Sequence, residues 1–287
     1  MPINGCDCSI VIKTRNMEFD VPYSDETLRE AVSVLEENAS IEGEGICRAI
    51  RKKSGVKGCV VTSLTIGSAP LLLYLAMGAV GRPLLVSETK NLFKYDLNLV
   101  PVEDTDSFDL IQDRGNGRFI LACCRVIGFE LRFLRDEAVK LKLDIASEYP
   151  LAQCHELEMS GAVSGERFNS NNVTYKINGR EYKNIYGLTI ISKKIGGTKT
   201  EIWIKRTLEN ENEIPFDIEE LVITASLLRD KYEYRYFGTF RITIKRLVLI
   251  SDETEVNATG AVISPLRFYV TGGVQAEVFT SGEELIA

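Results

Sequence analysis

The chain has 287 residues, 45% of them hydrophobic and 26% charged, with a formal charge of -7 and seven cysteines. That length can bury one large or two moderate cores, and no apolar run is long enough to span a bilayer as a helix. The negative charge weighs against a domain that binds nucleic acid by neutralising phosphates, and seven scattered cysteines cannot form a fully paired disulfide framework within one chain.

The N-terminal MPINGCDCSIVIKTRN lacks the basic-then-apolar order of a secretory signal, which predicts a chain made and kept in a cytoplasm until a later release. Residues 1–22 hold two short strand-like runs, Ser9 to Lys13 and Met17 to Val21, and are assigned to an N-terminal arm. A helix is predicted near 25–37: Ser24 stands as its cap, Asp25 and Glu26 lie in the first turn, and Leu28, Ala31, Val32 and Leu35 follow at helical spacing. Ile41 to Gly58 is Gly-rich and basic at Arg48, Arg51, Lys52 and Lys53, and is read as a contact loop. It is not a phosphate cradle, because Gly55 and Gly58 lack the Gly-Lys-Ser/Thr ending.

Cys59 to Ile66 reads as a strand and residues 69–77 as a buried helix, with Pro70 in its first turn and Gly78 just past its end. Strands resume at Phe93. In the block Phe108 to Ser147, Phe129, Leu131 and Phe133 alternate with Glu130 and Arg132, while Val139, Leu141, Leu143 and Ile145 alternate with Lys140, Lys142 and Asp144. This period of two marks half-buried antiparallel strands, joined at hairpin spacing by Arg135-Asp136-Glu137. A further turn is expected over 113–117. In the vicinal pair Cys123-Cys124, one side chain is expected to pack inward as a small hydrophobe.

Periodicity fades over 151–172, which is assigned to a linker or crossover. Residues 173–287 are again strand-rich: Val173 to Ile177, Tyr182 to Ser192, Thr200 to Leu208, Ile218 to Leu228 and Phe237 to Ile250 are separated by turn signals that include Asn178-Gly179 and Gly196-Gly197. The expected fold is therefore mainly β, of sandwich or barrel type, with one or two short helices and two β units, 23–150 and 173–287.

Catalytic chemistry is sparse. A hydrolase or transferase needs a nucleophile with a base, paired carboxylates or a metal. The one histidine, His155, sits beside Cys154 in the presumed linker, and no nucleophile elbow matches it. Cys6-x-Cys8, Cys123-Cys124 and Cys154-His155 lack paired zinc-knuckle spacing, so no metal, cofactor or catalytic residue is assigned. Trp203, inside TEIWIKR, is expected to be packed rather than part of an exposed aromatic platform.

The order of elements, and above all LLLYLAMG, the block GRFILACCRVIGFELRFLRDEAVKLKLDIAS and the late strand VISPLRFYV, resembles the tail tube proteins of tailed bacteriophages over most of residues 40–275. The resemblance implies subunits that close into hexameric rings and stack into a tube, with loops and the N-terminal region bridging rings. Tape-measure and tail-tip or terminator proteins would be the other partners, and DNA would pass through the lumen without specific binding. A phage-derived gene-transfer or injection particle is the same reading in another setting. Rival readings are a distal tail or baseplate component, the inner tube of a contractile device, a soluble carbohydrate-binding β-sandwich and, furthest from the residues, an enzyme. On the tube reading, ring contacts fall to the first twenty residues and to the loop carrying Arg48, Arg51, Lys52 and Lys53.

Overall fold

Long antiparallel strands dominate a computed structural model that describes residues 9–14, 18–41, 44–78, 84–87, 92–113, 117–154, 166–207, 214–231, 234–252, 255–256 and 262–281. In chain order the elements are β1 (Ser9–Lys13), β2 (Glu18–Val21), β3 (Tyr23–Glu26), β4 (Arg29–Ile41), β5 (Glu44–Ser63), α1 (Ala69–Met77), β6 (Leu84–Ser87), β7 (Leu92–Asn98), β8 (Phe108–Asp113), β9 (Arg118–Leu134) and β10 (Lys140–Ser147). They continue with β11 (Ala152–Cys154), β12 (Val173–Ile177), β13 (Arg180–Glu181), β14 (Ile185–Lys193), β15 (Lys199–Thr207), β16 (Asp217–Lys231), β17 (Tyr234–Asp252), β18 (Glu255–Val256), β19 (Val262–Val270) and β20 (Val274–Ser281).

Two bent strands organise three layers. The first layer runs β5–β10–β9–β14–β15–β19–β17, with β3 and β4 also laid along β5. The second runs β12–β16–β17–β20–β7–β6. β17 belongs to both: Gly238 to Ile244 pair with β20, and Leu247 to Asp252 pair with β19. The change of partner falls at Arg246, whose φ of 57° turns the chain while its carbonyl accepts from Thr271 N at 2.8 Å. Similarly, β9 starts in a small third layer, β2–β1–β8–β9–β11, and enters the first layer after Cys123. At that bend Cys123 has φ 51°, and its N–H donates to the Asp109 carboxylate at 2.9 Å. Bulges of this kind bend a strand and re-aim its side chains.

The alternation read from sequence is the burial pattern. Val139, Leu141, Leu143 and Ile145 are buried, as are Phe129, Leu131, Phe133, Phe240, Ile242 and Ile244, while their polar neighbours face outward. The two large layers meet face to face. Phe133 on β9 lies 6.2 Å from Phe240 on β17 and 6.5 Å, edge-on, from Tyr175 on β12; Phe168 packs on Phe240 at 4.9 Å. Strands from before and after 151–172 also pair directly, β14 with β9 and β20 with β7. Beyond 155–165, the chain enters the core: Phe168 is buried, donates to Leu64 O at 2.9 Å and accepts from Val139 N at 2.8 Å.

α1 is apolar on all sides and almost wholly buried, as expected of a core helix. Ser68 and Thr65 hydrogen-bond reciprocally before it. Gly78 ends it at φ 104°, where a Cβ would meet Val100 Cγ2 at 2.4 Å. The Met77 carbonyl of its last turn accepts from Val100 N at 3.0 Å and from Lys194 Nζ at 3.4 Å. Lys194 is fully buried, and burial pulls its ammonium down to about 8.

A lysine depressed in the folded state binds fewer protons than in the unfolded state between about pH 8 and its ordinary value near 10.5. Stability therefore rises with pH across that window, and the penalty for forcing the charge is complete below it. Lys194→Met is expected to stabilise the protein at pH 7 by roughly 1–3 kcal/mol and to flatten the pH dependence between about 8 and 10. Chemical unfolding of both proteins at about pH 7 and pH 9.5 reads the difference; parallel curves would contradict it.

The structure replaces the helix expected near 25–37 with strand. Ser24 does not cap a helix: its hydroxyl donates to Val61 O at 3.3 Å, and β3 and β4 flank a break at Thr27-Leu28. The spacing of Leu28, Ala31, Val32 and Leu35 fits a helix, but the β-branched Val32 and Val34 favour strand, and β5 offers a pairing partner along all of β4. Tertiary pairing overrides the local period. The same pairing converts Ile41 to Gly58 from a loop into most of β5. Residues 9–14 and 18–21, within the segment assigned to an arm, are built into the body: β1 lies between β2 and β8, and Ile10, Ile12, Phe19 and Val21 are buried.

Candidate assembly surfaces

The longest feature that the body does not use is the β4–β5 hairpin. Among the described residues β4 pairs only with β5, in register from Arg29↔Lys57 to Ile41↔Glu44, while β5 joins β10 and β3 only from Val56 onward. Ten residues of each strand, Val32–Ile41 and Glu44–Lys53, therefore have no further strand partner among the described residues and make an arm of roughly 30 Å. Its root is fixed at Gly55, where φ is 102° and a Cβ would stand 2.1 Å from the Ser147 carbonyl oxygen. Only glycine fits there without moving backbone.

Arg48, Arg51, Lys52 and Lys53 thus lie on a strand and not in a loop. Their cross-strand partners are Glu37, Val34, Ser33 and Val32 in that order. Strand periodicity puts Arg51 and Lys53 at one parity and Arg48 and Lys52 at the other. Leu35 with Ile50 and Ala39 with Ile46 form rows of the same parity as Arg48 and Lys52. The basic residues are brought together along one arm, but in two rows.

Two exposed apolar surfaces accompany the arm. On β6, which among the described residues pairs only with β7, Leu84, Leu85 and Val86 are 58%, 48% and 53% exposed in succession. An uncharged edge strand of that kind is a template for pairing with another chain. On the outer face of the first layer Val248, in the row Val248↔Tyr269↔Glu201, and Ile250 are exposed, and Phe216, whose carbonyl accepts from Leu249 N, is exposed at the neighbouring strand end.

Trp203 also stands on this face, 41% exposed, which corrects the expectation that it is packed. Its strand is central, but the position has outward parity. The Arg267 guanidinium lies 5.2 Å over the ring and donates to Glu201 at 2.8 and 3.0 Å, and the indole N–H donates to the same carboxylate at 3.3 Å. Burial opposes ionisation of Glu201, but the hydrogen bonds from Arg267 and Trp203 outweigh it and hold the carboxyl below its usual range.

Most other surface charges near these faces are paired, including Lys94 with Asp96 and Glu277 at 2.8 and 2.7 Å, and Arg132 with Glu130 at 2.8 Å. Among the described residues no group of three metal-ligating side chains converges. Within the same residues, no helix is long and apolar enough to cross a membrane. Cys6, Cys8 and His155 lie outside the described residues, as does the centre of the turn expected over 113–117; Cys154 ends β11.

Cys124 is fully buried and Cys123 exposed, as the vicinal pair suggested. Burial, reinforced by the nearby Asp109 charge, pushes the Cys124 thiol up to about 12. Brief iodoacetamide treatment of the native protein is therefore expected to alkylate Cys123 and leave Cys124 unmodified in peptide maps; equal labelling would contradict the placement.

No family model matches the chain, and no curated protein matches it.

Proposed function

We propose that this chain is the structural subunit of a phage-like tail tube, acting by polymerisation into stacked hexameric rings and not by catalysis. The observation that carries the reading is the β4–β5 arm: about 30 Å of paired strand with no further strand partner among the described residues is suited to reach another subunit. The unblunted β6 edge and the exposed Phe216, Val248 and Ile250 supply further surface that association would cover. The net charge of -7 suits a conduit whose wall repels the phosphate backbone of passing DNA. On this reading the subunit is made in the host cytoplasm and ends in the virion tail. Its partners are further copies of itself, a tape-measure protein and tail-tip or terminator proteins.

Because the arm is a strand, its basic residues can be tested by row. Arg51→Glu with Lys53→Glu reverses one parity. Arg48→Glu with Lys52→Glu reverses the other and sets a second carboxylate opposite Glu37. One of the two pairs is expected to shorten tubes or raise the concentration needed for assembly by about tenfold or more, with the monomer still folded. Unchanged tube lengths in both double variants would remove the arm's charges from the contact.

A further inference from the structure

Away from the arm, the β12–β13 hairpin, the start of β14 and the β9–β10 turn surround a hollow of about 280 Å³. Its chemistry comes from Arg135, Tyr175, Glu181, Tyr182, Lys183 and Tyr186. The hairpin turns through Asn178-Gly179, with φ of 51° and 80°, and Asn178 Oδ1 accepts from the N–H groups of Glu219 and Glu220, both at 3.0 Å, so the wall is held rigidly on β16.

Tyr175 and Tyr182 are each only 7% exposed, yet neither hydroxyl has a hydrogen-bond partner among the described residues. Neither oxygen is among the sealed, unbonded polar atoms of those residues, and both tyrosines line the hollow. Hydroxyls with no protein partner are free to hydrogen-bond a ligand. Burial pushes the Tyr175 phenol up, so it is a donor throughout the neutral range.

The charged groups are also uncommitted. Arg135, Glu181 and Lys183 form no ion pair among the described residues, whereas nearby Arg132 is tied to Glu130 and Lys140 to Glu137. Two cations and one carboxylate leave the hollow one positive charge in excess. Tyr186, 37% exposed, adds an aromatic wall at its rim.

We propose that this hollow binds a hydroxylated ring carrying one carboxylate, a hexuronate-type sugar unit. The planar fork of Arg135 takes the carboxylate, with Lys183 as the second cation. The Tyr175 and Tyr182 hydroxyls and the Glu181 carboxylate take the ring hydroxyls, and Tyr186 covers a C–H face of the sugar. A simple carboxylate leaves the tyrosines unused, and a neutral sugar leaves Arg135 unused. The site does not depend on the tube reading.

Calorimetric titration of the full chain with glucuronate, glucose and acetate tests it. Glucuronate is expected to bind with a Kd on the order of 1 mM, and glucose and acetate about tenfold or more weakly. Arg135→Ala should bring glucuronate down to the level of glucose. Tyr175→Phe keeps the ring packed on Phe133 and should weaken glucuronate about fivefold without moving the thermal midpoint. The proposal is overturned by the absence of saturable glucuronate binding, by equal binding of glucuronate and acetate, or by variants that bind as the parent does.

Discussion

Excision of the arm, joining Ala31 to Ser54 through an Asn-Gly turn, is expected to leave a folded subunit that no longer stacks. Among the described residues the removed strand segments pair only with one another, so the strand pairings of the layers, the aromatic cluster and α1 are kept. The loss of body stability should stay within about 1 kcal/mol, as for surface changes away from core features. Assembly should weaken at least ~100-fold, which corresponds to about 2.7 kcal/mol of lost contact energy. Circular dichroism and thermal unfolding report on the first expectation, and sedimentation of the purified chain on the second. A shortened chain that stacks as the parent does would take the arm out of the interface. Gly55→Ala is a milder version: it leaves every arm residue present but forces backbone to move at the root.

The second large effect is in the core. Phe240→Ala is expected to destabilise the subunit by about 3–5 kcal/mol, a large fraction of the roughly 5–15 kcal/mol that holds a typical protein folded. Phe240 is fully buried and lies 6.2 Å from Phe133 and 4.9 Å from Phe168, so truncation opens a cavity bounded by β9, β17 and the chain after 166 and removes two aromatic contacts at once. Phe216→Ala is the matched control. At 67% exposure its ring lies on the surface. Its loss should change stability by less than about 0.5 kcal/mol while weakening assembly. Denaturant midpoints separate the two; equal destabilisation would mean that the core is not where the aromatic contacts put it.

What could be read from the sequence followed the local physics of each segment. The alternation around Phe129 to Ile145 and Phe240 to Ile244 fixes both strand identity and the inward face, because a one-residue slip would expose the whole set. α1 was legible from Pro70, Gly78 and the unbroken apolar run between them. The region 25–58 was not, because Leu28, Ala31, Val32 and Leu35 satisfy a helical period locally and only the partner strand β5 decides for strand. Consequently the basic residues Arg48, Arg51, Lys52 and Lys53 were identifiable by composition, but their division between two register rows was not. The alternation Ile46, Arg48, Ile50, Lys52 against Cys47, Ala49, Arg51, Lys53 carried a strand signal that the flanking glycines obscured. Trp203 departs from expectation because a central strand still presents one face to solvent. The hollow at Tyr175 and Tyr182 was out of reach, since it joins a turn at 135, a hairpin at 173–181 and a strand beginning at 185.

Electron microscopy of the purified full-length chain, with its solution mass measured on the same sample, tests the central claim most directly. Rings that stack into tubes around a central channel, with a solution mass in multiples of six subunits, are the predicted result. A uniform monomer that remains unassembled when presented with a tail-tip complex would contradict the tube reading.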